Sequence, residues 1–274
     1  MINLFQKSRR IKVYGCILIG IIGIIYAFSI MLQTGFSARL ISPLVLLVLG
    51  ISICYFIAFF AAVVLHQKIL QILYNDVDPT KFIAAYEPLL TQKHISATHL
   101  LTLKAHLANA YANSGEIERA VLLIREAKLP AGRFLANAKA LIAGNLCSYY
   151  LLEENTTMAQ SALNELSSVI EAAKSSGHSL SSSYIHNAAL QHIHLDFLLG
   201  RPVDEALLYK ELENSSNMLH KANIFYLLGR ISLAKGFHES ADYQLKKAAR
   251  YSDHIIAGRK AALLLGALDG QAHQ

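Results

Sequence analysis

The stretch LANAYANSGEIERAVLLIREA, residues 107–127, decides the fold of this chain. Its apolar residues recur every three or four positions, a spacing typical of one buried face of an α-helix. The turn at residues 114–116 interrupts this pattern, so the stretch predicts two helices joined by a short connection. From residue 66 onward there are neither alternating β-branched runs nor Asn-Gly hairpin turns, and the region is therefore predicted to be all-α.

The same arrangement recurs along the chain. Short polar turns at residues 154–157, 200–202 and 235–237 separate further pairs of helix-like segments. One alanine marks each second helix, and these markers are 39, 47 and 35 residues apart: Ala120, Ala159, Ala206 and Ala241. The longest interval contains the polar stretch SSGHSLSSS, residues 175–183, which we expect to be a loop between repeats. The sequence thus predicts about four stacked helix pairs.

Two of these units carry a more specific pattern. They are Leu107, Ala108, Tyr111, Gly115, Ala120, Ile124 and Ala127, and then Leu228, Gly229, Gly236, Ala241, Leu245 and Ala248. At these positions the sequence resembles the tetratricopeptide repeat family, whose 34-residue helix pairs stack into an α-solenoid. Weaker copies contain Leu146, Cys147, Tyr150, Ala159, Leu163 and Leu166, and Ile193, Phe197, Gly200 and Ala206. The sequence departs from the family at Ser232, where an aromatic residue is expected, and a proline closes only one unit, at Pro130.

The resemblance implies a concave wall, formed by the first helix of each pair, that binds a peptide or a partner helix. Carried onto this sequence, the inward positions of that wall are Ala105, Asn109, Ala112, Ser148, Gln191, Asn223, Tyr226 and Arg230. The lysine and asparagine set with which some relatives clamp a C-terminal carboxylate is incomplete here. A carboxylate ligand of that kind is therefore not predicted.

The N-terminal region predicts a membrane anchor. Residues 13–38 and 40–65 form two uncharged, apolar runs, each longer than the roughly 20 residues that cross a bilayer. A short polar loop joins them, so we expect two transmembrane helices in a hairpin. Four basic residues precede the first run and Lys68 follows the second, which predicts that both termini are cytoplasmic. A cleaved signal peptide is the alternative, but the first run is longer than a typical signal core.

Composition argues against several other classes of protein. The net charge of +6 belongs to the first 75 residues, which contain no acid, so the remaining domain lacks the basic surface of a nucleic-acid-binding protein. Neither apolar run contains an Asp, Glu, Lys, Arg or His, which argues against a transporter or a channel. The three cysteines form no ligand pair and are interpreted as reduced. Nucleic-acid partners are not predicted.

Motifs for catalysis or metal binding are incomplete. His192 and His194 are two positions apart and so point to different sides of a helix, which argues against a shared metal ion. The near-match to a zinc-protease motif at His238 lacks its second histidine, and the Ser232–Lys235 pair lacks the partner motifs of acyl-transfer enzymes. No phosphate-binding loop or nucleophile elbow is present. We therefore predict neither an enzyme nor a cofactor, and a membrane enzyme remains only a third hypothesis.

These observations predict an all-α protein with two transmembrane helices followed by a tetratricopeptide-like solenoid. The expected segments are a basic cytoplasmic N-terminus at 1–12, the hairpin at 13–65, a linker with leading helices at 66–96, the repeats at 97–252, and a capping helix with a tail at 253–274. The predicted function is that of an adaptor in the plasma (inner) membrane that recruits a cytoplasmic protein or peptide. The alternative is a structural subunit that packs through its repeat face and C-terminal helix within a larger membrane complex.

Overall fold

The computed structural model describes residues 41–91, 96–177 and 180–272, and over these residues the chain is helical without β-strands. The α-helices are α1 (Ile41–Tyr74), α2 (Pro79–Tyr86), α3 (Ala97–Ser114), α4 (Ile117–Arg125), α5 (Leu135–Glu153), α6 (Thr156–Ser175), α7 (Ser182–Leu198), α8 (Ala206–Asn214), α9 (Met218–Ala234), α10 (His238–Ala249) and α11 (Ile256–Ala272). Two 3-10 helices lie at Glu87–Thr91 and Gly132–Phe134. The predicted basic N-terminus and first transmembrane helix lie outside the described residues.

The chain divides after Leu70 into two compact units. The described part of the first unit is helix α1 up to Leu70. In the described residues, the segment Gly50–Tyr74 is the one that is long and apolar enough to cross a membrane, judged by length and composition alone. Its large apolar side chains are exposed, with Phe56 65% and Ile57 59% accessible. Such a surface is costly in water, at about 25 cal/mol for each Å² of apolar area.

The second unit begins at Gln71 and contains the predicted helix pairs. In three of them, α3/α4, α5/α6 and α9/α10, the two helices pack closely against each other. The third pair departs from this pattern, because its short second helix α8 packs against α9 and joins a core with Leu190, Ile224 and Leu228. The marker alanines show the same difference: Ala120, Ala159 and Ala241 are fully buried, whereas Ala206 is exposed. The third unit is thus the least regular.

Each first helix of a pair ends with a residue in the left-handed conformation. These residues are Gly115, Glu154, Gly200 and Gly236, with φ of 100°, 64°, 69° and 75°. Glycine adopts this conformation without the steric cost that a side chain imposes, and it reverses the backbone at the end of a helix. The four predicted turns between paired helices are therefore confirmed.

The leading segment of the unit is the short helix α2, which begins with a capping residue and a proline. Asp78 caps α2, because its Oδ1 accepts a hydrogen bond of 2.9 Å from the backbone N–H of Lys81, and Pro79 occupies the first helical position. The α-helix ends at Tyr86 and continues as a 3-10 helix through Pro88. Helix α2 packs on α3 and covers one end of the first pair.

The C-terminal helix returns to the start of the stack. The Arg259 side chain donates to the carbonyl oxygen of Ser114 at 2.7 Å, and Lys260 Nζ donates to that of Leu152 at 3.0 Å. Both carbonyls lie in the last turns of first helices, where unpaired acceptors and the helix dipole favour cations. Helix α11 therefore joins the end of the stack to its first and second pairs, so that the stack closes into a ring. This closed arrangement differs from the open concave groove implied by the family resemblance.

Candidate functional site

The four first helices, α3, α5, α7 and α9, surround a cavity of about 460 Å³, which we call the central cavity. Helix α8, the loop after it and the end of α1 complete its wall. The polar lining residues are Tyr74, Asn109, Asn113, Asn145, Ser148, Tyr149, Asn187, Gln191, His194, Glu211, Ser215, Asn217, His220, Asn223 and Tyr226. Volumes of this size are typical of sites that hold small ligands or short segments of chain.

The structure places five of the eight predicted site residues in this wall: Asn109, Ser148, Gln191, Asn223 and Tyr226. Ala105 and Ala112 lie instead in the packed core, with 4% and 0% of their surface exposed, so neither presents a surface to a ligand. Arg230 is not part of the lining, and it binds Glu154 at 3.1 Å instead.

A chain of hydrogen bonds crosses the cavity wall from α5 through α3 to α9. Tyr149 Oη donates to Asn109 Oδ1 at 2.9 Å, and Asn113 Nδ2 donates to the backbone carbonyl of Asn109 at 2.8 Å. Asn223 Nδ2 then donates to Asn113 Oδ1 at 3.1 Å. Because side chains of the first, second and fourth pairs take part, this network fixes the spacing of three of the four first helices.

Gln191 joins the third pair to the second. Its Nε2 donates to the backbone carbonyl of Gly144 and to Ser148 Oγ, both at 2.7 Å. The residue is buried, with 7% of its surface exposed. Both hydrogens of the amide are therefore used for packing α7 against α5, whereas Oε1 lies buried without a partner in the described part of the chain.

Three further cavity residues carry a buried polar atom of this kind. In the described residues, Asn145 Nδ2, His194 Nε2 and Asn223 Oδ1 also lack a hydrogen-bond partner. A buried polar group without a partner costs about 1–3 kcal/mol, and folded proteins contain few of them. Four such atoms around one cavity indicate a site whose hydrogen-bonding capacity is not used by the protein itself.

An acid and two histidines close one side of the cavity. Glu211 Oε2 lies 2.7 Å from His186 Nε2, and Glu211 Oε1 lies 3.1 Å from His220 Nε2. Burial raises the pKa of Glu211, but the hydrogen bond from His186 and the proximity of His220 outweigh burial and bring it below its usual range. Burial lowers the pKa of His220. At neutral pH we therefore expect an ionised Glu211 with both of its oxygens occupied.

A second charged cluster lies beside His194. Glu154 binds both Arg230, at 3.1 Å, and Lys260, at 2.7 Å. Burial lowers the pKa of His194 to about 4, with the Arg230 charge as a further cause. His194 is therefore a neutral imidazole at physiological pH, able to donate at one nitrogen and accept at the other.

Sequence reasoning missed Asn113, Asn145, His194, Glu211 and His220. A signal for most of them was present, because each first helix carries polar residues three or four positions apart among apolar neighbours. Examples are Asn109 and Asn113 in α3, and Gln191 and His194 in α7. Such a stripe on otherwise apolar helices marks a polar face directed at the interior.

Comparison of the chain with family models, curated proteins and solved structures finds no match. The likeness to tetratricopeptide repeats thus rests on the residues of this chain and on its paired helices.

Proposed function

We propose that this chain is a membrane-anchored adaptor whose tetratricopeptide-like domain binds a protein or peptide in the central cavity. The observation that carries the proposal is the set of four buried polar atoms without partners on the wall formed by the first helices. These atoms line a cavity large enough to admit a ligand, and they are available to bond with it. A ligand that pairs with these atoms recovers on binding the free energy that each costs while it is unpaired.

The anchor is the second part of the proposal. The exposed apolar surface of α1 and the uncharged run that precedes it in the sequence support two transmembrane helices in a hairpin. The repeat domain then lies on the cytoplasmic side of the plasma membrane, with both termini in the cytoplasm. Tethering raises the local concentration of a second binding partner at the membrane, which increases avidity without new contacts.

Site-specific photo-crosslinking in intact cells tests the adaptor function. Asn187 lines the cavity and is exposed enough to accept a benzoyl-phenylalanine in its place, and Asn164 on the outer side of α6 is the matched control. We expect a discrete adduct in the membrane fraction from position 187 and not from position 164. Equal patterns from both positions, or no adduct from position 187, would contradict the proposal.

A second candidate, the structural subunit, is favoured by the outer face of α11. Leu263 is 75% exposed, and Ala262, Gly266 and Ala267 beside it are exposed as well. A terminal helix that only capped the stack would be expected to have a polar outer face. If the chain assembles through this face, Leu263→Lys should dissociate an oligomer seen by native mass spectrometry, whereas Leu122→Lys on α4 should leave the oligomer intact.

A further inference from the structure

We propose that the central cavity selects an uncharged, amide-bearing segment of its ligand and rejects free termini and phosphate groups. This inference rests on the proposed function, because it specifies the ligand chemistry of the same site. It follows from which polar atoms remain unpaired, from which of them donate and accept, and from the charges on the wall.

The free acceptors of the cavity are fixed by their neighbours. The carbonyl of Gly144 can only accept, so the Gln191 atom beside it must be the amide nitrogen, and Oε1 is the free acceptor. The same reasoning fixes two more amides. The backbone carbonyl of Asn109 accepts from Asn113 Nδ2, and Asn113 Oδ1 accepts from Asn223 Nδ2. Gln191 Oε1 and Asn223 Oδ1 are therefore both acceptors. A ligand that pairs with them must supply two N–H or O–H donors.

The other two unpaired groups of the cavity belong to Asn145 and His194, and they add a requirement for an acceptor on the ligand. The Asn145 amide offers donors at Nδ2, and neutral His194 offers a donor or an acceptor at Nε2, according to its tautomer. The complement of this set is a group with N–H donors and carbonyl acceptors close together. Carboxamides have this composition, both in the peptide main chain and in asparagine and glutamine side chains.

The charges on the wall exclude an ionised ligand group. Among the described lining residues, Glu211 is the only Asp, Glu, Lys or Arg, and both of its oxygens already face histidines. The nearby Arg230 and Lys260 are paired with Glu154. A carboxylate, phosphate or ammonium group would lose its hydration on entry without gaining a free counterion, which is strongly unfavourable.

Binding of defined peptide libraries to the purified full-length chain in lipid nanodiscs tests this inference. One library consists of tetrapeptides with acetylated N-termini and amidated C-termini, and two matched libraries have a free carboxylate or a free amino group. Bound peptides are separated by size exclusion and quantified by mass spectrometry. We expect retention of the blocked peptides to exceed that of either charged library by at least about tenfold.

The variant Asn145→Leu connects retention to the cavity. Asn145 Nδ2 has no partner in the described residues, so its removal deletes an unpaired donor. We expect the variant to lose about tenfold in retention of blocked peptides while the melting temperature of the ligand-free chain rises. Asn164→Leu, on the outer side of α6, is the control and should retain blocked peptides as the unmodified chain does. His194→Phe provides the same test independently if Asn145→Leu does not fold.

The outcomes separate this inference from the proposed function. Equal or better retention of a charged library, undiminished retention by the cavity variants, or no retention of any library would overturn the selectivity proposed here. An adduct from position 187 in cells would still support the adaptor function in each of those cases. Conversely, selective retention of blocked peptides without any cellular adduct would support the ligand chemistry and contradict the adaptor.

Discussion

Asn223 in α9 donates a hydrogen bond of 3.1 Å to Asn113 in α3, a residue 110 positions earlier in the chain. The two side chains connect the fourth helix pair to the first. Together with the contacts of α11, this bond closes the stack into a ring beside the central cavity. The wall of the central cavity and the closure of the fold are therefore built partly from the same amide groups.

Replacing Asn113 should loosen the ring. We expect Asn113→Ala to lower the free energy of unfolding by about 1–3 kcal/mol, because the buried amide of Asn223 loses its partner. Denaturant unfolding of the full-length chain in detergent measures the change. Asn164→Ala removes an exposed side chain that bonds Gln160 within one helix, and its effect should stay within about 0.5 kcal/mol. Similar values for both variants would show that the Asn113–Asn223 bond contributes little.

Replacing two helix glycines by alanine should change the free energy of unfolding in opposite directions. A Cβ on Gly229 would lie 2.7 Å from Leu245 Cγ and Cδ2 and 3.3 Å from its backbone nitrogen, so α9 and α10 would have to separate. We expect Gly229→Ala to cost about 1–3 kcal/mol. At Gly144 the nearest atom would be 3.7 Å away, and Gly144→Ala should gain about 0.5–1 kcal/mol from helix propensity. Thermal unfolding of both variants would reveal the contrast, and destabilisation by Gly144→Ala would contradict it.

Stability should fall with acidification between about pH 6.5 and pH 4. The pKa of His194 is lowered by burial from 6.5 to about 4, so the unfolded chain takes up a proton in this range while the folded chain does not. The full difference corresponds to about 3 kcal/mol, and partial exposure to solvent reduces it. His194→Gln should flatten the dependence, which unfolding at pH 7 and pH 5 measures.

His192 provides the matched control for this experiment, since it lies two positions away on α7 and is exposed. We expect the pH dependence of His192→Gln to follow that of the unmodified chain. His220, whose pKa burial also lowers, should account for part of the dependence that remains in His194→Gln. A pH dependence that is unaltered in His194→Gln would show that this histidine is solvated in the folded protein.

The orientation of the anchor can be tested by glycosylation. The sequence contains two acceptor sequons, at Asn155 and Asn214, and both residues are exposed in the repeat domain. With a cytoplasmic domain, neither should be modified when the chain is expressed in eukaryotic membranes. Mobility on a gel before and after glycosidase treatment measures this. A shift on treatment would place the domain on the opposite side of the membrane.

The local features of the fold were readable from the sequence. The turn around Gly115 falls where it was predicted, because it depends on residues within one helical turn. The marker alanines predicted close packing in three of the pairs, but Ala206 is exposed since α8 is short and packs on α9 instead. The local sequence pattern thus identified the helices more accurately than it identified which helices pack against each other.

The closure of the ring could not be predicted from the sequence, and neither could the site residues whose position depends on it. The family resemblance placed Ala105 and Ala112 on an open wall, whereas both are buried in the structure. The contact between Arg259 and Ser114 joins residues 145 positions apart, and no periodicity within a helix reports such a distance. Glu211 and His220 were missed for the same reason, since their role arises only where α7, α8 and α9 meet.

Arg259 and Asn223 contact residues more than 100 positions earlier in the chain, and this has a consequence for folding during synthesis. During synthesis, helices α3 to α6 leave the ribosome well before α9 and α11 are complete. The wall of the central cavity is therefore incomplete until the last helices have been made. Until then, the early helix pairs expose apolar faces that the later helices cover in the folded chain. Under the proposed function, a chain would bind its ligand only once translation is complete, and incomplete chains would not compete for that ligand.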